Sequence, residues 1–218
     1  MAIDLHHWRA ILRAKAKGRA LSAGYPDLLV PANEIPAAPL QVRADSDEIA
    51  EHHGWKGPIY DSVQVFKMLG IELDVIDRKE HRGGESIVDL NEPSAAILLR
   101  ARYDLVIDPG TSEHCFNIAQ ALVNLADAVK VGGAICQALP MSMFNHGYWN
   151  VNPVALLDFY EQNGFEIERM VIRHASGVFE PSPDERFARM LNVPENAVTL
   201  VTARRLEARA FRWPQQRG

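Results

Sequence analysis

The sequence has little cysteine, no long apolar run and no excess of positive charge, and each shortage removes a class of protein. Cys115 and Cys136 are the only two cysteines in 218 residues, and neither belongs to a CxxC pair. A disulfide scaffold and a cysteine-rich zinc site are excluded, and a reducing, cytoplasmic compartment is the expectation. No stretch reaches the roughly 18 apolar residues needed for a membrane-crossing helix. The opening, Met1-Ala-Ile-Asp-Leu-His-His-Trp8, lacks the apolar core of a secretory signal. Lysine and arginine number 23 against 28 aspartates and glutamates, a net charge of −5. Dedicated nucleic-acid binders usually carry a basic domain, so neither nucleic acid nor a membrane is expected as partner. The chain also has no GxGxxG loop and no GxSxG elbow. A standard dinucleotide site and a serine-hydrolase nucleophile therefore lack support.

What is present suits a folded chain with a sizeable core: 47% of residues are hydrophobic and 23% charged. The length fits one domain, or one domain with a small appendage. Residues 1–17 stand apart as a basic helix. Arg9, Arg13, Lys15 and Lys17 face only Asp4, while Leu5, Trp8 and Leu12 recur at helical spacing. Such a helix packs on its own domain with its basic face in water, or else binds an anionic surface or partner. Residues 18–218 form the main domain. Within it, residues 31–56, with Pro31, Pro36 and Pro39, read as an insertion able to form a lid.

Strands and helices then alternate. A short apolar strand ends near Gly24. Helices are expected over Asp45 to His53 and Asp61 to Leu69, with Gly70 closing the second. Ile71 to Asp77, Glu85 to Leu90 and Tyr103 to Asp108 read as strands. A helix capped by Thr111 or Ser112 follows, with Ile118, Leu122, Leu125 and Val129 on one face and Gly132-Gly133 as its stop. Ala134 to Leu139 is a further strand. Asn152 and Pro153 start a helix that runs to about Gln162. Phe165 to Arg173 and Ala197 to Ala203 are the last strands, with a short helix expected between Pro181 and Pro194. Short apolar strands alternating with helices imply an α/β fold with a doubly wound, mostly parallel sheet. Ligands bind such sheets at the carboxyl ends of the strands, where strand order reverses. Asp77, Asp89 and Asp108 all fall at expected carboxyl ends. They either cap turns or form one acidic edge.

A carboxylate ending the second strand suits a ribose, because its two oxygens accept from both sugar hydroxyls. The order Ile71–Asp77, Glu85–Leu90, Tyr103-Asp-Leu-Val-Ile-Asp108 with Glu113-His114, then Val131-Gly-Gly-Ala134 resembles the class I S-adenosylmethionine-dependent methyltransferases. The resemblance covers residues 60 to 175 well and residues 18 to 30 weakly. It implies a Rossmann-like sheet, S-adenosylmethionine as cofactor, and methyl transfer to a small-molecule or saccharide-type acceptor. It implies Asp77 on the ribose and Asp89 with Leu90 beside the adenine. The turn Asp108-Pro109-Gly110-Thr111 would lie near the methionine part, and Gly24 with Tyr25 at the first strand end. The family has a glycine-rich loop at that first strand end and this chain has one glycine there. A catalytically inactive, methyltransferase-like binding or regulatory protein is the alternative.

Histidine suits proton removal from a nucleophile near neutral pH. His114 after one strand and His146 in the loop Met143-Phe-Asn-His-Gly-Tyr-Trp149 are the acid–base candidates. Each can equally be a packing or turn residue. Glu113 reads as a base, a ligand or a favourable charge at a helix start. Tyr148 and Trp149 can wall a substrate or pack in the core. Asp108, Glu113, His114 and His146 can be drawn as a metal site, but their spacing matches no recognised signature, and no metal is expected. The adjacent pairs His6-His7 and His52-His53 are not natural chelates. A homo-oligomer is left open.

Overall fold

Alternation in short strands builds the centre of the molecule, a computed structural model that describes residues 1–175, 177–181, 188–189 and 192–217. In the strand Tyr103–Asp108, Leu105 and Ile107 enter the core on one face of the sheet and Val106 the core on the other. The same alternation holds in Ala134–Cys136. Residues of a strand point to opposite faces in turn, so both faces must be covered.

In chain order the elements are β1 (Ala2–Asp4), α1 (Leu5–Arg13), β2 (Gly18–Ala23), β3 (Asp27–Leu29), α2 (Ser46–His53) and α3 (Ser62–Met68). Then come β4 (Ile71–Asp77), β5 (Ser86–Ile87), α4 (Ser94–Leu99), β6 (Tyr103–Asp108), α5 (Ile118–Ala128) and β7 (Val129–Pro140). The last are α6 (Pro153–Gln162), β8 (Phe165–His174), β9 (Gly177–Phe179) and β10 (Val198–Arg205). The main sheet has the order β5-β4-β2-β6-β7-β10-β8-β9. The first five strands are parallel, and β10 runs antiparallel to both neighbours. Helices α4, α5 and α6 cover one face, and α1 and α3 the other. Strand order reverses between β2 and β6, which opens the crevice for a ligand at their carboxyl ends. No helix among the described residues is long and apolar enough to cross a membrane.

Four expectations change in detail. The amino-terminal segment is not all helix: residues 2–4 form β1, which pairs in parallel with β3. Asp4 ends that strand and caps α1, accepting the His7 N–H at 2.9 Å. The helix then docks on the sheet, Trp8 meeting Phe66 edge-to-face and donating to the Glu34 carbonyl at 2.9 Å. The strand expected over Glu85 to Leu90 shrinks to Ser86–Ile87, because Asp89 folds back to accept from the Asn91 N–H at 2.9 Å. Neither Thr111 nor Ser112 caps a long helix. A single 3₁₀ turn spans Ser112–His114, Cys115 is extended, and Asn117 caps α5. Gly132-Gly133 does not stop that helix. It ends at Ala128, and β7 runs through the glycines. The short helix expected between Pro181 and Pro194 falls largely outside the described residues.

Candidate functional site

Two clefts open side by side at the carboxyl edge, and Met1 and His114 line both. The smaller, about 300 Å³, lies over the ends of β4 and β5. Asp77, Asp89, Leu90, Thr111 and Cys115 line it together with Ile76 and Val88. The Asp77 Oδ1 accepts from the Arg78 N–H at 2.6 Å, and its Oδ2 has no hydrogen bond among the described residues. Asp89 Oδ1 accepts from the backbone and side chain of Asn91, and these bonds hold its carboxyl below the usual range. Leu90, Ile76 and Val88 are buried and give the cleft an apolar floor. Burial pushes the Cys115 thiol up to about 12, so it is no nucleophile here.

Gly24 closes β2 in the left-handed region, φ +81°. Its N–H donates to the Ile76 carbonyl at 2.7 Å, and Thr111 Oγ1 donates to the neighbouring Ala23 carbonyl at 2.5 Å. A Cβ on Gly24 would strike the Met1 side chain, which packs over this strand end. The turn sends Tyr25 away from both clefts. Its ring lies beneath the Arg43 guanidinium, which donates to the Tyr25 hydroxyl at 2.8 Å.

The larger cleft, about 560 Å³, lies over the ends of β6 and β7. Pro109 and Gly110 line it, whereas Asp108 does not. Asp108 is fully buried and committed to its own turn. It accepts from the Thr111 N–H at 2.8 Å, the Ser112 hydroxyl at 2.5 Å and the Gln137 amide at 2.7 Å. That turn aims Glu113 into the cleft. Glu113 is 1% exposed, and its Oε2 has no hydrogen-bond partner among the described residues. Burial first, and the Asp108 charge second, push its carboxyl up to about 8. His114 Nε2 and His146 Nε2 each stand 3.9 Å from Glu113 Oε1, too far for a hydrogen bond. Burial first, then His146 and the amino-terminal ammonium, lower the His114 pKa.

His146 owes its place to a pinned loop. The Tyr148 N–H donates to the Glu113 carbonyl at 2.9 Å, and the Trp149 indole to the Cys115 carbonyl at 3.1 Å. Gly147 makes this possible, because a Cβ there would come within 2.9 Å of Glu113 Cγ. The imidazoles of His114 and His146 end 5.4 Å apart, centroid to centroid. Tyr148 itself points outward, 66% exposed, and lines neither cleft.

The fold therefore brings Gly24, Asp77, Asp89, Leu90 and Thr111 to one side and Pro109, Gly110 and His146 to the other, with His114 between. Sequence reasoning missed the rest of the larger cleft. His7, His52 and His53 join His114 and His146 there, five of the eight histidines. His7 is buried, with Nε2 3.2 Å from the Cys136 carbonyl and Nδ1 without a hydrogen-bond partner among the described residues. Arg173, also on the wall, pairs with Asp4 at 2.7 Å. The His52-His53 end of α2, inside the 31–56 insertion, closes one side. Only the doubled histidines marked these positions in the sequence, and a doubled histidine says nothing about which cleft it faces.

No protein-family model matches the sequence, and no curated protein matches it. Solved structures do. A candidate methyltransferase from Bacillus halodurans C-125 superposes with a TM-score of 0.52 at 12% identity, over 91% of this chain and 98% of that one. A candidate S-adenosylmethionine-dependent methyltransferase from Listeria monocytogenes gives 0.50 at 11% identity, over 93% and 96%. The chain has the class I methyltransferase-like fold.

Proposed function

We propose that this chain transfers a methyl group from S-adenosylmethionine to a small-molecule or saccharide-type acceptor. The observation that carries the reading is the convergence of Asp77, Asp89 and Leu90 on one cleft beside the strand-order reversal. A nucleoside fits these residues. The free Asp77 Oδ2 suits sugar hydroxyls, and the floor of Leu90, Ile76 and Val88 suits a base. When bound, the cofactor supplies a sulfonium methyl, which the acceptor's lone pair takes as the carbon–sulfur bonding pair returns to sulfur. The chain's part is mainly alignment of acceptor and methyl, with the two clefts meeting at His114 and Met1. On the acceptor side, the lowered pKa of His114 keeps its imidazole neutral, with a lone pair to offer. A net charge of −5 favours a small acceptor over nucleic acid.

The test is calorimetric titration with S-adenosylmethionine and S-adenosylhomocysteine. Micromolar binding, about −8 kcal/mol, is expected. No heat from a folded sample with either compound overturns the proposal. A second reading, an inactive binding or regulatory protein, is favoured by the Met1 side chain packed over Gly24, where a cofactor would approach the backbone. Binding of both compounds without turnover on any acceptor supports that reading.

A further inference from the structure

We infer that Glu113, His114 and His146 hold a divalent first-row transition-metal ion, of the zinc, cobalt or iron(II) type, in the wall of the larger cleft. The ligand atoms of these three side chains lie within 4.8 Å of one another. Glu113 Oε1 is 3.9 Å from each histidine Nε2. Two ligands each about 2.0–2.2 Å from one ion stand at most about 4.0–4.4 Å apart, so the 3.9 Å separations fit and the widest, within 4.8 Å, is only slightly too long. Small side-chain rotations close the difference. The gap is too wide for hydrogen bonds and the right width for an ion.

Three further observations point the same way. The Glu113 side chain is buried with Oε2 unpartnered, a costly arrangement that a cation relieves. The loop carrying His146 is pinned to the Glu113 carbonyl, so two separate chain segments are held in register for one set of ligands. Both imidazoles are open, 45% and 48% exposed at the side chain, so coordination positions remain toward the cleft. Three protein ligands plus open positions is the arrangement of a metal site that also binds substrate. Two imidazoles and one carboxylate, with no thiolate, favour ions of intermediate softness over magnesium or copper(I).

The assignment makes the two histidines ligands rather than proton acceptors. It departs from the sequence-based expectation of no metal, because only the fold sets His146 beside Glu113. Use of the ion to hold an oxygen of the acceptor rests on the methyl-transfer reading, whereas binding of the ion does not.

The experiment is titration of the tag-free, EDTA-treated chain with Co(II), followed by its visible absorption, and with Zn(II), followed by calorimetry. One equivalent of each ion is expected. His114→Ala and His146→Ala should each weaken binding more than about tenfold, the lower range for loss of a supporting residue. Glu113→Gln should weaken it too and change the cobalt spectrum. Circular dichroism of each variant shows that it is folded. Absence of micromolar binding by the folded wild-type chain overturns the inference, as does binding that both histidine variants leave unchanged. S-adenosylhomocysteine affinity is measured on the same samples. Metal binding without nucleoside binding sinks the methyl-transfer reading alone, and the converse sinks the metal site alone.

Discussion

The smaller cleft has carboxylates at its rim and apolar side chains in its depth, while the larger has imidazoles at its rim and a carboxylate in its depth. Both are built from strand ends that finish in aspartate. At β4, Asp77 is half-buried and spends one oxygen on its turn, so the other is left for a ligand. At β6, Asp108 is fully buried and spends both oxygens on its turn. The chain then delivers a different carboxylate, Glu113, to the cleft. The sheet thus gathers acids at one edge, and local turn chemistry decides which of them remain free.

The largest test of this contrast is Asp108→Ala. It leaves the Ser112 hydroxyl, the Gln137 amide and two backbone N–H groups without their acceptor inside the core. Stability should fall by about 3–5 kcal/mol, which lowers Tm by roughly 10 °C in a chain of this size. Thermal denaturation reads the shift, and both clefts should weaken together. A Tm within a degree of wild type would mean that the turn does not depend on Asp108.

Asp77→Ala should act on one cleft alone. Affinity for S-adenosylhomocysteine should drop by about 1–3 kcal/mol, roughly 5- to 150-fold, with Tm unchanged. Cobalt binding at Glu113, His114 and His146 should persist. An unchanged nucleoside affinity would remove Asp77 from the site.

The smaller cleft was largely legible in the sequence, and the larger one was not. Asp77, Asp89 and Leu90 end or follow strands whose apolar runs are plain, and a parallel sheet fixes where such ends go. Tyr25 misled because a glycine with positive φ precedes it and turns it into the core. Asp108 misled because the two hydrogen-bond partners that bury it, Ser112 and Gln137, are revealed only by packing. The larger cleft draws on β1, α2, the turn after β6, the loop after β7, and β8. No local pattern reports that His7, His53 and His146 line one cleft. The pairing of β1 with β3, which carries Asp4 and His7 to the cleft, joins segments 25 residues apart in register, Ala2 to Asp27.

His7 gives a smaller effect with a definite sign. Burial lowers its pKa from the ordinary 6.5, against the raising influence of Asp4, the Cys136 carbonyl and Asp108, with Arg173 also lowering it. The unfolded chain therefore binds this proton more readily than the folded one. The contribution of neutral His7 is complete above pH about 6.5, and stability is lost as pH falls below it, by at most about 1.4 kcal/mol per pH unit. Subtracting the Tm profile of His7→Gln from that of wild type between pH 7.5 and 5 isolates the slope. A flat difference would show that His7 titrates alike in both states.

Glu113→Gln should have the smallest effect on stability. It changes a buried carboxylate five residues beyond Asp108, nearly as inaccessible, yet the two should respond in opposite ways. Asp108 is the acceptor on which two side chains and two backbone N–H groups converge, so its loss orphans donors. Among the described residues Glu113 Oε2 accepts from nothing and Oε1 reaches neither histidine, so glutamine at 113 orphans no donor and removes a carboxyl whose ionised form is costly to bury. In EDTA, Tm should stay within about 1 °C of wild type or rise. With one equivalent of Zn(II) the order should reverse, because only the wild-type chain keeps the full ligand set and gains stability from the bound ion. A Tm loss in EDTA as large as that of Asp108→Ala would mean that Glu113 is held by partners of its own, and the contrast between the two carboxylates would fail.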